Sequence, residues 1–194
     1  MRSFLLPLLS AALALPPAGA SWDVLRAGDP DQGAAKVQCT HADGQPWCQS
    51  VAVLDAPADR IEARLKDFAK YPDTFPRIER CTVLDPQTVW IVLDMPFPLA
   101  QRDYIARFTE SREGADRVFQ WTAAVHPDAP AGDAVRLLRT AGVWRLTPMG
   151  ERTRVSYTWQ GELGGDVPGW ALPRAWTVQG EEVLRWLGAA VAAN

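Results

Sequence analysis

Histidine is nearly absent: the 194-residue chain has two, His41 and His126. Both fall in predicted turns with no serine or cysteine elbow beside them, so nucleophile–base catalysis of the hydrolase kind has no visible machinery. A phosphate loop is missing too. "GELGGD" is glycine-rich but lacks the Lys-Ser/Thr such a loop requires; its glycines read as freedom for a sharp turn from strand to helix. There is no basic excess. Lys and Arg number 20 against 23 Asp and Glu, a formal charge of −3, and a mildly acidic chain lacks the positive stripe of a general nucleic-acid binder. Beyond the N-terminus no apolar run is long enough to cross a bilayer. Internal repeats and low-complexity linkers are absent.

Cysteine is scarce, with three in the chain. Cys39 and Cys48 flank the turn-forming "ADGQP", which suggests a hairpin with facing cysteines. A disulfide is the favoured reading in an exported protein. The rival is zinc on Cys39, His41 and Cys48, three ligands with no obvious fourth. Cys81 alternates with apolar residues in "IERCTVL" and reads as an inert buried thiol. No metal and no cofactor is expected.

What is present begins with an export signal. Arg2, the apolar "FLLPLLSAALAL" and the small-residue ending Ala18-Gly19-Ala20 read as a signal peptide over residues 1–20, cut after Ala20, with a retained membrane anchor as the rival reading. The expected location is periplasmic or secreted. Residues 21–194 are then one domain, long enough to bury a core.

The hydrophobic period changes along the domain. "GAAKVQCT" and "WCQSVAVLDA" read as a hairpin. "DAPADRIEARLKDFAKYP" reads as a helix starting near Pro57, with Ile61, Leu65 and Phe68 on one face, and ending at Pro72. From Arg80 to Leu163 the chain reads as strands joined by short turns at Asp85-Pro86, "REGAD" and "MGE", an antiparallel meander in which "AVRLLRTAGVWRLTP" is one run. The last stretch is a long helix with Leu172, Trp176, Gly180, Val183, Leu187 and Val191 as its apolar stripe and a kink at Pro173. The class is α+β: a curved antiparallel sheet wrapped around a long C-terminal helix, closed by gripping it and able to leave an internal hydrophobic cavity.

Strand parity nominates a cavity face. Trp90, Val92 and Asp94 share one side of their strand. Tyr104, Ala106 and Phe108 share another, as do Phe119, Trp121 and Ala123. The inward set of the next strand is Leu138, Thr140, Gly142, Trp144 and Leu146, with room beside the Trp144 indole at Gly142. Val155, Tyr157 and Trp159 complete the strands, and Trp170 and Trp176 join the candidate ligand-binding set from the start of the last helix. Core packing is the alternative for each of these aromatics. Arg102 and Asp103 are adjacent on a strand and so point to opposite faces; they cannot both face a cavity. They read as structural, holding the corner through hydrogen bonds.

Four segments in order, "LKDFAKYPDTFPRIERCTVL", "VLDMPFPLAQRDYIARF", "AGVWRLTPMGERTRVSYTW" and "GELGGDVPGW", resemble a START domain, the lipid-transfer branch of the helix-grip superfamily that also holds Bet v 1-like proteins and polyketide cyclases. The resemblance spans most of residues 21–194. It implies the helix-grip fold and a hydrophobic tunnel for one lipid or other apolar molecule. The function it implies is non-enzymatic binding and transfer, or sensing, with a cyclase- or hydrolase-type enzyme using the same cavity as the alternative. Glycines 164, 165 and 169 would hinge the gate. In sterol-carrying relatives an acid matching Asp94 pairs with an arginine, but Phe108 stands at the arginine's position here; Asp94 is either a tunnel anchor or a solvated strand-end group. The implied partners are a hydrophobic small molecule or lipid and, transiently, a membrane, with no nucleic acid. Oligomeric state, ligand identity and donor or acceptor partners are not written in the sequence.

Overall fold

The computed structural model describes residues 15–16, 19–97, 99–130, 132–164 and 167–193. Most of the expected signal peptide (residues 1–14, 17 and 18) and the hinge residue Gly165 lie outside the described residues. In chain order the elements are β1 (Asp23–Ala27), β2 (Lys36–Ala42), β3 (Gln45–Leu54), α1 (Ala58–Lys66), α2 (Tyr71–Thr74), β4 (Ile78–Asp85), β5 (Thr88–Leu93), β6 (Arg102–Glu113), β7 (Asp116–Ala123), β8 (Val135–Arg136), β9 (Ala141–Met149), β10 (Arg152–Gln160) and α3 (Leu172–Ala192). The strands form one sheet in the order β1-β2-β3-β10-β9-β7-β6-β5-β4, with β8 parallel to β6 at the side. All other pairings are antiparallel.

The N-terminal hairpin turns at Asp43 and Gly44, whose φ angles of 51° and 73° are both left-handed, the two-residue geometry that Asp-Gly favours. That turn sets Cys39 opposite Cys48, and a disulfide joins them. Replacing both cysteines by serine should cost about 2–3 kcal/mol, the chain-entropy value for a short loop; denaturant titration of the two proteins under identical conditions measures it. The zinc alternative is corrected by this bond. His41, expected in a turn, lies within β2 opposite Pro46, and among the described residues no cluster of potential metal ligands exists.

Three other expectations change. The α1 helix stops at Lys66, before Pro72; Pro72 instead lies in the first turn of α2, where its missing N–H costs nothing. Pro173 likewise sits in the first turn of α3 and needs no kink. The run 134–148 is not one strand: it makes the two-residue β8, bends, and starts β9 at Ala141. Leu138 falls at the bend and is 72% exposed, so it leaves the inward set.

With 21 residues, α3 spans about 30 Å at 1.5 Å per residue and lies on the concave face. It buries Trp176, Gly180, Leu184, Leu187 and Val191; of the expected stripe, Leu172 and Val183 are only partly buried, and Leu184 joins it. Gly180 is where helix and sheet press closest. A Cβ there would stand 2.9 Å from Val37 Cγ2 and 3.1 Å from Trp159 Cη2, and the Ser50 hydroxyl donates to the Gly180 carbonyl at 2.8 Å. Gly180→Val should therefore lower stability by about 1–3 kcal/mol through overpacking, read as a drop in melting temperature.

Candidate ligand cavity

The sheet and α3 do not close completely on each other. Between them lies a cavity of about 390 Å³, within the range of pockets that enclose a small ligand. Its walls come from inward positions of β5, β6, β7, β9 and β10, from Tyr71 and Phe75 around α2, and from the inner side of α3. Stacked rings dominate one wall: Trp144 lies 4.1 Å from Tyr157 at 24°, and Tyr157 lies 5.1 Å from Trp159 at 15°. Across the sheet Tyr104 stacks on Trp121 at 5.3 Å. Gly142 permits this, because its missing side chain is replaced by the Trp121 indole, whose Nε1 lies 2.6 Å from where a Cβ would be. The room expected beside Trp144 is thus filled by a ring from the next strand.

Of the residues nominated from sequence, Asp94, Tyr104, Phe108, Trp121, Trp144, Tyr157 and Trp159 line the cavity. Trp90, Val92, Trp170 and Trp176 do not. For Trp90 and Val92 the parity is reversed. The pairing of Ile91 with Tyr104 sets Ile91 and Leu93 inward, while Trp90 and Val92 form a second apolar cluster with Ile105 on the outer face. Every residue from Thr88 to Val92 is buried, so β5 is apolar on both faces and alternation carries no signal there. Asp94 reaches the cavity mouth because β5 ends at Leu93 and the next amide bonds to the Arg77 carbonyl at 2.9 Å; it is exposed. Trp176 is a fastening, its indole N–H donating to the Gly161 carbonyl at 2.8 Å. Trp170 stands in solvent, 85% exposed.

The adjacent charges Arg102 and Asp103 are both buried and face opposite ways. Arg102 donates to the carbonyls of Leu163 and Gly164, each at 2.9 Å, and to that of Ala100, so one guanidinium ties the β5–β6 loop to the segment leading to α3. Asp103 accepts from Arg136 at 2.7 and 2.6 Å and from the Trp90 indole at 2.8 Å. Burial by itself would raise the Asp103 carboxyl, but these hydrogen bonds and the Arg136 charge outweigh it and hold the group below the usual carboxylate range.

The cavity lining carries three tyrosines and, besides them, the charged residues Arg77, Asp94, Glu162 and Arg174. Burial pushes the Tyr71, Tyr104 and Tyr157 phenols up, and the nearby Cys81 thiol up to about 12. At the mouth Arg77 pairs with Glu182 at 2.7 Å. Some lining residues missed by sequence reasoning sit where no period exists to read, Met95 and Leu99 in the β5–β6 loop, Leu137 after β8, and Leu163 and Val167 before α3, while others, Ile91 and Leu93 on β5 and Val178 and Trp186 on α3, sit on regular elements whose inward side was misassigned or not nominated. Tyr71 and Phe75 were readable as inward aromatics only with the helix boundaries in hand.

A family model described as polyketide cyclase / dehydrase and lipid transport matches residues 48–192. The chain belongs to this family. Among solved structures, its fold is that of the STAR-related lipid transfer protein of Xanthomonas axonopodis, with a TM-score of 0.75 and 20% identity over 88% of this chain and 98% of that one. Human StAR-related lipid transfer protein 5 superposes with a TM-score of 0.77 at 12% identity, covering 91% of this chain and 88% of that one. The Zhui aromatase/cyclase of a Streptomyces species matches with a TM-score of 0.54 at 18% identity over 75% of this chain and 93% of that one. No curated protein sequence matches. The family therefore holds lipid carriers and cyclases on one START-type helix-grip frame, and this member's frame contains a largely apolar, aromatic-walled cavity.

Proposed function

We propose that the protein is a non-enzymatic carrier or sensor of a lipid or other hydrophobic molecule, held in the cavity between the sheet and α3 and working outside the cytoplasm after removal of residues 1–20. The largely apolar cavity carries this reading. Exposing a 16-carbon chain to water costs on the order of 12 kcal/mol, at about 0.8 kcal/mol per methylene; a carrier with an apolar interior removes that barrier, because bilayer and cavity are both apolar. In the described residues no helix is long and apolar enough to cross a membrane, and the disulfide suits an oxidising compartment.

The rim supports transient membrane contact. Phe97 is 97% exposed and Trp170 85%, and each adjoins a residue that lines the cavity, Pro96 and Ala171. Exposed aromatics suit the interfacial zone of a bilayer. In vesicle sedimentation with phosphatidylcholine, the Phe97→Glu, Trp170→Glu protein should stay in the supernatant while the wild type pellets.

Native mass spectrometry of the exported protein tests the main reading. The expected mass begins at Ser21 and includes one hydrophobic adduct. A bare protein that also takes up no hydrophobic probe would defeat it. A cyclase- or hydrolase-type enzyme in the same cavity is the second reading, favoured by the family's cyclase members and the Streptomyces aromatase/cyclase neighbour. Against it, general acid–base catalysis needs groups poised near the working pH, and the interior phenols are raised away from it. A ligand recovered chemically altered would favour the enzyme.

A further inference from the structure

Arg102 is 2% exposed, and among the described residues every bond its side chain donates ends on a backbone carbonyl at the rim of the cavity. Nε reaches Leu163 and Nη2 reaches Gly164, each at 2.9 Å, and Nη1 reaches Ala100. Leu163 lines the cavity from the stretch after β10; Leu99, beside Ala100, lines it from the β5–β6 loop. A third stretch meets them there. β8 pairs with Arg102 and Asp103. The next residue, Leu137, lines the cavity, and its Cδ2 stands 3.1 Å from where a Cβ on Gly164 would be.

Arg102 itself belongs to the sheet. It opens β6, opposite Leu93 on one side and Val135 on the other. Main-chain bonds and apolar contacts within a loop can be lost one at a time. A guanidinium is a planar fork of fixed donors, and here a single fork spans both loops. Swinging either loop outward leaves a buried charged donor without its acceptor, which is costly. The two loops are therefore tied to one fixed point and are freed by breaking one set of bonds.

We propose that Arg102 is the latch of the cavity mouth: it sets how fast a ligand enters and leaves, and does not set how tightly the ligand is held. This rests on the carrier reading and adds a rate control to it. The latch residue is outside the cavity lining, and its acceptors are the protein's own carbonyls. Bonds that do not involve the ligand hold the empty and the filled protein alike, so weakening them lowers the barrier to entry and to exit by the same amount.

The test follows cis-parinaric acid, a fluorescent fatty acid, by stopped flow. Mixing with empty protein gives the association rate, and mixing loaded protein with phosphatidylcholine vesicles gives the dissociation rate. Arg102→Lys keeps the charge but replaces the fork with a point donor. Both rates should rise about tenfold, the worth of one charged hydrogen bond, with Kd held to within about twofold. Gly164→Ala attacks the latch from the acceptor side. Its φ is +59° and the new methyl meets Leu137, so the carbonyl shifts while the arginine stays intact. It should speed both rates too, and the double variant should be no faster than the quicker single one, because both changes act on one set of bonds. Thr153→Val is the control for lost stability. It removes a buried hydrogen bond to the Ala56 carbonyl, lies outside the cavity lining, and should exchange ligand at the wild-type rate. If Arg102→Lys fails to fold, Gly164→Ala decides. Unchanged rates in the latch variants would overturn the latch. Faster dissociation with unchanged association would also overturn it, by making Arg102 a ligand contact, and so would equal acceleration in Thr153→Val, by making the effect a general loosening. A wild type that takes up no parinaric acid would count against the carrier reading, and the latch would fall with it.

Discussion

Trp176→Ala should cost about 3–5 kcal/mol, the usual loss for deleting a large buried aromatic, whereas Trp144→Ala should cost about half as much. Both indoles are buried to a similar degree, at 6% exposure, so exposure does not separate them. Their surroundings do. Trp176 fastens the start of α3 to the end of β10: its N–H bonds the Gly161 carbonyl, and Gly161 has no Cβ because the indole occupies that space, 2.7 Å away. Removing it leaves a closed void and a buried carbonyl without its donor. Trp144 faces the cavity, so its deletion enlarges a space that already exists and forfeits mainly the stacking on Tyr157. Thermal melting of both variants gives the stability difference. Titration with a fluorescent lipid analogue should show an altered affinity for the Trp144 variant alone. Equal losses of stability for the two would mean that Trp144 is ordinary core.

Asp103→Asn should cost about 3 kcal/mol and should flatten the acid limb of the stability profile. The carboxylate accepts two bonds from Arg136 and one from Trp90 while 1% exposed. An amide restores one acceptor at most and turns N–H against the guanidinium; removing one member of a buried charged pair costs about 3–5 kcal/mol, reduced here because the Arg136 side chain keeps 30% exposure. The sign of the pH dependence follows from the depressed carboxyl. A group whose folded pKa is lowered contributes fully above its unfolded value, about 3.9, and the contribution is lost as pH falls through the folded pKa. Wild type should therefore weaken on acidification below about pH 4 by more than the variant does. Denaturant midpoints across pH 2–7 measure both slopes, and parallel slopes would remove Asp103 from the account.

The helix, the strands and most of the cavity face were legible in the sequence for a simple reason. β6, β7 and β10 each have one face toward α3 and one toward solvent or a thin outer layer, so apolar and polar residues alternate, and Tyr104, Phe108, Trp121, Tyr157 and Trp159 follow from parity alone. The same rule misplaced Trp90 and Val92. β5 is covered on both faces, and its inward side is settled by the register of Ile91 against Tyr104, which is tertiary information. The loops were illegible for a different reason. Leu137 and Leu138 are chemically equivalent neighbours, yet one lines the cavity and the other is exposed, because the chain bends between β8 and β9. The pairing of β3 with β10 also lies beyond any local pattern.

That pairing shapes how the chain must fold. Trp47 lies opposite Gln160 and Leu54 opposite Thr153, partners distant along the chain, so the sheet cannot become continuous until nearly all of it has been made. Topologies dominated by such distant contacts fold on the millisecond-to-second scale, while a hairpin forms in about 1–10 μs. The β2–β3 hairpin therefore brings Cys39 and Cys48 together long before β10 arrives to cover β3. In that interval Cys81 is a third accessible thiol. The speed of the Asp43-Gly44 turn biases oxidation toward the neighbour across the hairpin, and away from the half-buried Cys81 on β4 at the opposite edge of the sheet.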